Sequence, residues 1–262
     1  MASSPSRSPG SSNRSPAAKG VPRTGYAELS CDPLHILVFL LPLILFYEAT
    51  LLFSGMSGVQ NTVAAHALIN QFLRVFGDFA LYLPGLVLVG VLVVLKVHRG
   101  DAWTVRLPVI PLMAIESVVW AIPLLVIAAL LSTPPAAGVN GGGDLTSLPL
   151  LSRIALSIGA GLYEEMLFRL FMVSAAAMVF RNLFRVSDTW AAGLAIATAA
   201  LAFTFYHQVG DPSTVVARRI LYFVAGCYLG LVFVLRRFGA VVGAHTVYDL
   251  FVLVVLHPGE NP

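Results

Sequence analysis

Three short constellations in the second half of the chain combine residue types that do chemistry. They are Glu164, Glu165 and Arg169; His207, four residues after Phe203; and His245 with Asp249, again four apart. A four-residue step brings two side chains to one face of a helix, so Glu165 and Arg169 form an intrahelical ion pair with the Glu on the favourable N-terminal side. By the same spacing His245 and Asp249 stand as a histidine and the carboxylate that orients it. Glu164 lies about 100° around the helix from Glu165. It therefore points elsewhere and needs a partner from another segment. A lone histidine inside a membrane more often makes a helix-to-helix hydrogen bond, the plainer reading of His207 by itself. Taken together, a Glu, two His and an Asp on three segments form the set that general-base hydrolysis or metal binding requires.

The elements that position them are apolar. Of 262 residues, 58% are hydrophobic and 11% charged, where an ordinary soluble domain has about a quarter charged. This composition excludes a soluble globular chain and predicts a polytopic membrane protein. A charge at the centre of a spanning helix costs on the order of 3 kcal/mol on a lenient scale. Glu164, Glu165 and Arg169 must therefore be buried in protein and paired, or face a wet cavity.

The fold class expected is an all-α polytopic membrane helix bundle of about seven transmembrane helices, with an interfacial amphipathic helix over 60–77 as an optional addition. The spans fall near 34–53, 79–96, 108–131, 152–180, 189–207, 214–235 and 239–256. Residues 1–28 read as a disordered basic tail and not a cleaved signal. Residues 29–150 hold the N-terminal helices and loops, including a Gly/Pro-rich loop over 133–150, and 151–257 form the catalytic core. The bias of Lys and Arg predicts a cytoplasmic N-terminus and an external C-terminus: eleven of the sixteen fall on the N-terminal side, four on the other, and Arg169 within. The net charge of +3 gives no support to a nucleic-acid partner, and Cys31 and Cys227 form neither a metal nor a disulfide pattern.

In order along the chain, Glu164-Glu165-x-x-x-Arg169, Phe203-x-x-x-His207 and His245-x-x-x-Asp249 resemble the motifs of the CPBP family of intramembrane proteases. That family includes Rce1-type CAAX prenyl proteases and bacteriocin-processing and self-immunity (Abi) proteins. The resemblance covers about 150–256. It implies an endopeptidase that cuts a membrane-associated protein or peptide, with Glu164 and His207 activating water and His245 and Asp249 holding the developing oxyanion. Glu165, Arg169 and Phe203 take supporting positions. Several members carry Asn where this chain has Asp249. An ionised Asp accepts hydrogen bonds only, so Asp249 is expected to orient and charge His245, which becomes the donor. The family is described both as metal-dependent and as glutamate-dependent. A zinc ion held by Glu164, His207, His245 and Asp249 is compatible with the residues but not required by them. The expected location is a bacterial cytoplasmic membrane, and the oligomeric state stays open.

Two readings from other classes accompany this one: a non-proteolytic membrane protein that binds a peptide or lipidated partner, and a proton-coupled transporter. Gly55, Ser57 and Gly58 match a rhomboid-like G-x-S-G without a matching His helix. Gly141 to Asp144 match a G-x-G-D of aspartyl proteases, but in a Gly-rich loop and in reversed order relative to Tyr248-Asp249. Glu48 and Glu116 are intramembrane acids whose simpler reading is pairing with nearby polar groups.

Overall fold

The computed structural model describes residues 25–53, 83–131, 148–207 and 215–256, and all of their regular structure is helical. We label the elements α1 (Tyr26–Leu29), α2 (Pro33–Phe53), α3 (Leu83–Arg99), α4 (Val109–Leu130), α5 (Leu150–Glu165), α6 (Ser174–Asn182), α7 (Asp188–Tyr206) and α8 (Val215–Leu250). A π-helical stretch, Met166–Val173, joins α5 to α6, and another, Phe251–Val255, extends α8. The optional helix over 60–77, most of the tail and of the 133–150 loop, and the two protease-like motifs near Ser57 and Asp144 lie outside the described residues.

Local chemistry sets the ends. Asp32 caps α2, its Oδ2 accepting from the amides of Leu34 and His35, and Pro33 occupies the first position, where its missing N–H costs nothing. Lys96, His98 and Arg99 close the last turn of α3 against the negative end of its dipole. Pro42 and Pro123 sit inside α2 and α4, as membrane helices tolerate when neighbours satisfy the freed carbonyl. α8 is interrupted at Arg237, which adopts φ 67° and ψ −172°, so it packs as two helices on either side of a tight break. The sixth and seventh expected segments correspond to these halves.

Among the described residues, four helical stretches are long and apolar enough to cross a membrane: Pro33–Leu52, Val109–Leu130, Asp188–Tyr206 and Val215–Val255. α3 has 17 residues. The α5 to α6 stretch carries the charged cluster in its middle, which lowers its apolar character. Outward-facing side chains such as Leu45, Leu86, Val94, Ile115 and Phe205 are exposed, whereas the polar groups of the cluster are buried, an arrangement suited to lipid outside and protein within.

α8 packs against α4, α7 and α5 and forms the centre of the bundle. Two glycines permit its closest approaches. A Cβ on Gly161 of α5 would run into Thr246, and one on Gly243 would run into Ser117 of α4. Small residues at such crossings let backbones approach and gain van der Waals contact that lipid cannot supply.

A polar lattice ties together one end of the bundle. Asp32 Oδ1 is 2.8 Å from Lys96 Nζ, and His35 Nδ1 is 3.1 Å from Asp32 Oδ2. The amide of Arg106 donates to His35 Nε2 at 3.1 Å. Arg236, at the α8 break, pairs with Glu116 and donates to Ser30, and Tyr26 and Trp120 also donate to Glu116. Glu116 is thus paired with nearby polar groups. Glu48 likewise accepts from the Tyr163 hydroxyl at 2.7 Å.

Candidate active site

Four helical stretches bring the three sequence constellations to one point. Glu164 and Glu165 end α5, Arg169 lies on the π-helix, His207 immediately follows α7, and His245 and Asp249 lie on the second half of α8. All six are buried.

His207 was expected at the end of a span, and it is the residue at which the helix stops, with φ −80° and ψ 114°. The Phe203 carbonyl accepts the closing helical bond from the His207 amide at 3.4 Å and a second bond from the His207 ring, at 2.8 Å from Nδ1. A carbonyl can only accept, so Nδ1 carries the proton and, in the neutral ring, Nε2 presents a lone pair. The Phe-x-x-x-His spacing is therefore a backbone-to-ring spacing as well as a matter of helix faces. Nε2 points to Glu164, 3.7 Å from Oε2.

Glu164 Oε2 is buried without a hydrogen-bond partner, while Oε1 receives the Tyr206 hydroxyl at 3.4 Å. Oε2 also lies 4.0 Å from His245 Nε2. On its other side His245 is held by Glu165, with Nδ1 2.6 Å from Oε1, and Asp249 Oδ2 is 3.4 Å from Nε2. The i,i+4 pairing of His245 with Asp249 is present, yet the closer carboxylate is Glu165, from a different helix. Glu165 also stands 2.9 Å from Arg169 Nη1. That pair meets as neighbouring charges and not as an aligned hydrogen bond. The Arg169 guanidinium lies 4.5 Å from the Phe203 ring centre, a geometry in which an aromatic face stabilises a buried cation.

Tyr222 completes the clamp on His207 and is absent from the sequence-based set. Its ring stacks on the imidazole, with centroids 4.2 Å apart and planes at 20°. Phe203 approaches the same ring at 4.4 Å. No spacing signal links Tyr222 to His207, because the two meet only through the packing of α8 on α7. A small cavity reaches these groups. It is lined by Phe203, His207, Tyr222, His245, Tyr248 and Asp249 together with aliphatic residues.

A tetrahedral zinc site with bonds near 2.1 Å has ligand atoms about 3.4 Å apart; Glu164 Oε2 stands 3.7 and 4.0 Å from the two imidazole nitrogens, and His245 Nε2 3.4 Å from Asp249 Oδ2. Among the described residues no group of three or more His, Cys, Asp or Glu side chains is arranged to hold a metal ion.

Residues 146–251 match the family model described as type II CAAX prenyl endopeptidase Rce1-like. The match takes in every residue of the constellation and is the kind of family that the three motifs resemble. No curated protein and no solved structure matches the chain.

Proposed function

We propose that this protein, Rce1-like over residues 146–251, is an intramembrane endopeptidase in which Glu164 and His207 activate water against a peptide bond of a membrane-associated protein. The observation that carries the reading is the unpaired Oε2 of buried Glu164, facing the bare Nε2 of His207 at 3.7 Å. Two acceptors turned toward each other can take one O–H each from a water molecule, at bonds of about 2.8 Å once the pair opens by several tenths of an ångström.

Attack by that water forms a C–O bond at the scissile carbonyl while one of its protons passes to Glu164 or His207. The carbonyl oxygen becomes an oxyanion, for which the nearest donor is His245 when both its ring nitrogens carry protons: Nδ1–H is committed to Glu165, and Nε2–H is directed to the side of Glu164 and Asp249. Collapse then breaks the C–N bond, and the proton taken from water is delivered to the leaving amine. The products are a carboxylate and a new amino terminus. Glu165 bridges His245 and Arg169, so its task is to fix the donor's ring and not to meet substrate.

We further read α2, α3, α4, the α5 to α6 stretch, α7 and the two halves of α8 as seven crossings, with the N-terminus in the cytoplasm. Supporting this, Lys96, Arg99, Arg106 and Arg236 gather at the end where α2 begins.

Purified protein incubated with a solubilised membrane proteome should generate new peptide termini that are absent with Glu164→Ala. Identical terminus profiles for the two proteins would overturn the protease reading.

A further inference from the structure

Glu48 is an intramembrane acid that the hydrolytic scheme leaves unused. It lies on α2, outside the stretch 146–251 that the family model matches, and its Oε1 accepts from the Tyr163 hydroxyl at 2.7 Å. Its Oε2 is buried without a hydrogen-bond partner, so among the described residues Tyr163 is the donor that fixes this carboxyl. Tyr163 is fully buried and directly precedes Glu164. The neighbouring Tyr47 is fully buried too, and its ring meets that of Tyr163 edge-on, with centroids 5.2 Å apart. The same Tyr47 ring fills the space where a Cβ on Gly159 would stand. Gly159 and Tyr163 are four residues apart and share one face of α5, so α2 grips that face at two successive turns. On α3, Gly85 leaves room for the Glu48 carboxyl, since a Cβ there would run into Oε1.

α5 is regular as far as Glu165, so Tyr163, Glu164 and Glu165 stand about 100° apart in turn. Tyr163 is directed to Glu48, Glu164 to His207, and Glu165 to His245. Fixing the first of these directions fixes the other two. Side-chain tips lie about 5–6 Å from a helix axis, so a rotation of about 10° carries a carboxylate through about 1 Å. A displacement of that size near reacting atoms costs up to about 100-fold in rate. We infer that the Tyr163–Glu48 hydrogen bond, backed by Tyr47, sets the rotation of α5, which makes Glu48 a positioning residue for Glu164 that acts through Tyr163. Its effect on rate rests on the endopeptidase reading, whereas its effect on helix rotation does not.

The test uses the full-length protein in detergent micelles and, as probe, a peptide spanning a Glu164-dependent cleavage site found in the membrane proteome. Tyr163→Phe and Glu48→Leu should each lower kcat of the folded fraction about 10- to 100-fold with KM little changed. Glu48→Gln, whose side-chain carbonyl still accepts from Tyr163, should recover most of the rate. The double variant Glu48→Leu/Tyr163→Phe should be no slower than the slower single one, because both substitutions break one bond. A second readout needs no substrate: the His245 Nδ1 proton, bonded to Glu165, should shift in the ¹H–¹⁵N spectrum of Tyr163→Phe and keep its wild-type position in Glu48→Gln. Tyr163→Phe, which loses one oxygen and keeps its ring, keeps the test decisive if Glu48→Leu fails to fold. Losses that multiply in the double variant, a rise in KM alone, or an unmoved His245 signal would overturn this inference and leave the endopeptidase reading standing. If wild type cuts no proteome peptide beyond Glu164→Gln, the endopeptidase reading falls, and an unmoved His245 signal then overturns this inference as well.

Discussion

Glu165 has two partners, Arg169 at 2.9 Å and His245 Nδ1 at 2.6 Å, and its removal or that of Arg169 has different consequences. Arg169→Ala leaves a buried carboxylate with one cation fewer, at a cost of roughly 3–5 kcal/mol. It should lower the thermal unfolding midpoint in detergent well below wild type, whereas Glu164→Gln, which removes no ion pair with a permanent cation, should leave it nearly unchanged. Equal midpoints for Arg169→Ala and wild type would show that the pair contributes nothing. The Arg169 partner was legible from the i,i+4 spacing, but the His245 partner was not, because it depends on α5 and the second half of α8 lying side by side. The same limit hid Tyr222. Its expected role is to hold the His207 ring, so Tyr222→Phe should keep most activity and Tyr222→Leu should lose up to about 100-fold in kcat, the effect of a misplacement near 1 Å, with KM little changed. The imidazole ¹⁵N signals of His207 should report one Nδ1–H tautomer in wild type and Tyr222→Phe and a mixture in Tyr222→Leu. Retention of the single tautomer in Tyr222→Leu would remove Tyr222 from this role.

Regular α-helical geometry was enough to place Glu164 apart from Glu165, yet the chain turns π-helical at Met166, which hydrophobic periodicity cannot reveal. Such insertions occur often at functional sites because they rotate the following side chains relative to the preceding turn. Helix existence in the described apolar segments was legible from run length, and so were the end of a span at 207 and a boundary between 235 and 239; that this boundary is a single-residue break at Arg237 depends on that residue's dihedral angles. The close approach of α5 to α8 at Gly161 is likewise invisible in sequence, although the site straddles that contact. Gly161→Ala must push Thr246 away, and overpacking of this kind costs about 1–3 kcal/mol. Activity measured on the folded fraction should fall more than the stability does, since Glu164 and His245 move apart with the helices. Unchanged specific activity would mean that the shift is absorbed elsewhere. The cap of α2 permits a second test at this scale. Burial would raise the Asp32 pKa, but hydrogen bonds from Lys96 and His35 and the Lys96 charge outweigh it and hold the carboxyl below its usual value. A lowered carboxyl pKa contributes stability that is complete above the unfolded value near 3.9 and disappears as pH falls through the folded one. Wild type should therefore exceed Asp32→Asn in stability by about 3–5 kcal/mol at neutral pH, because the variant strands the buried Lys96. The gap should close on acidification below about pH 4. A gap independent of pH would show that Lys96 is not charge-paired.

Across the whole molecule, the polar lattice at one end gives the bundle a direction. The starts of α2 and α4, the end of α3 and the break in α8 meet through Asp32, Lys96, Arg106, Glu116 and Arg236, and Arg99 bonds the Cys31 carbonyl there. At the opposite end Arg153, near the start of α5, donates to the Leu253 carbonyl. Composition and the Lys/Arg bias made a membrane bundle legible, but they could not show that Lys96, Arg99 and Arg236 all donate to the segment Ser30, Cys31 and Asp32, because those contacts join positions up to 206 apart in sequence. Basic residues at helix ends are retained on the cytoplasmic side, so the lattice end should face the cytoplasm. Tyr26 lies at that end and the second half of α8 runs away from it, so the seven crossings proposed above would put the two termini on opposite sides. A reporter fused before Met1 should be active only if it functions in the cytoplasm, and one fused after Pro262 only if it functions outside. A membrane-impermeant thiol reagent applied to intact cells should spare Cys31, whose carbonyl and thiol both take part in the lattice, and should modify it after permeabilisation. Both reporters reading the same side would mean an even number of crossings, with the error falling on the 54–82 connection or at Arg237. Labelling of Cys31 from outside would instead invert the whole assignment while keeping the count.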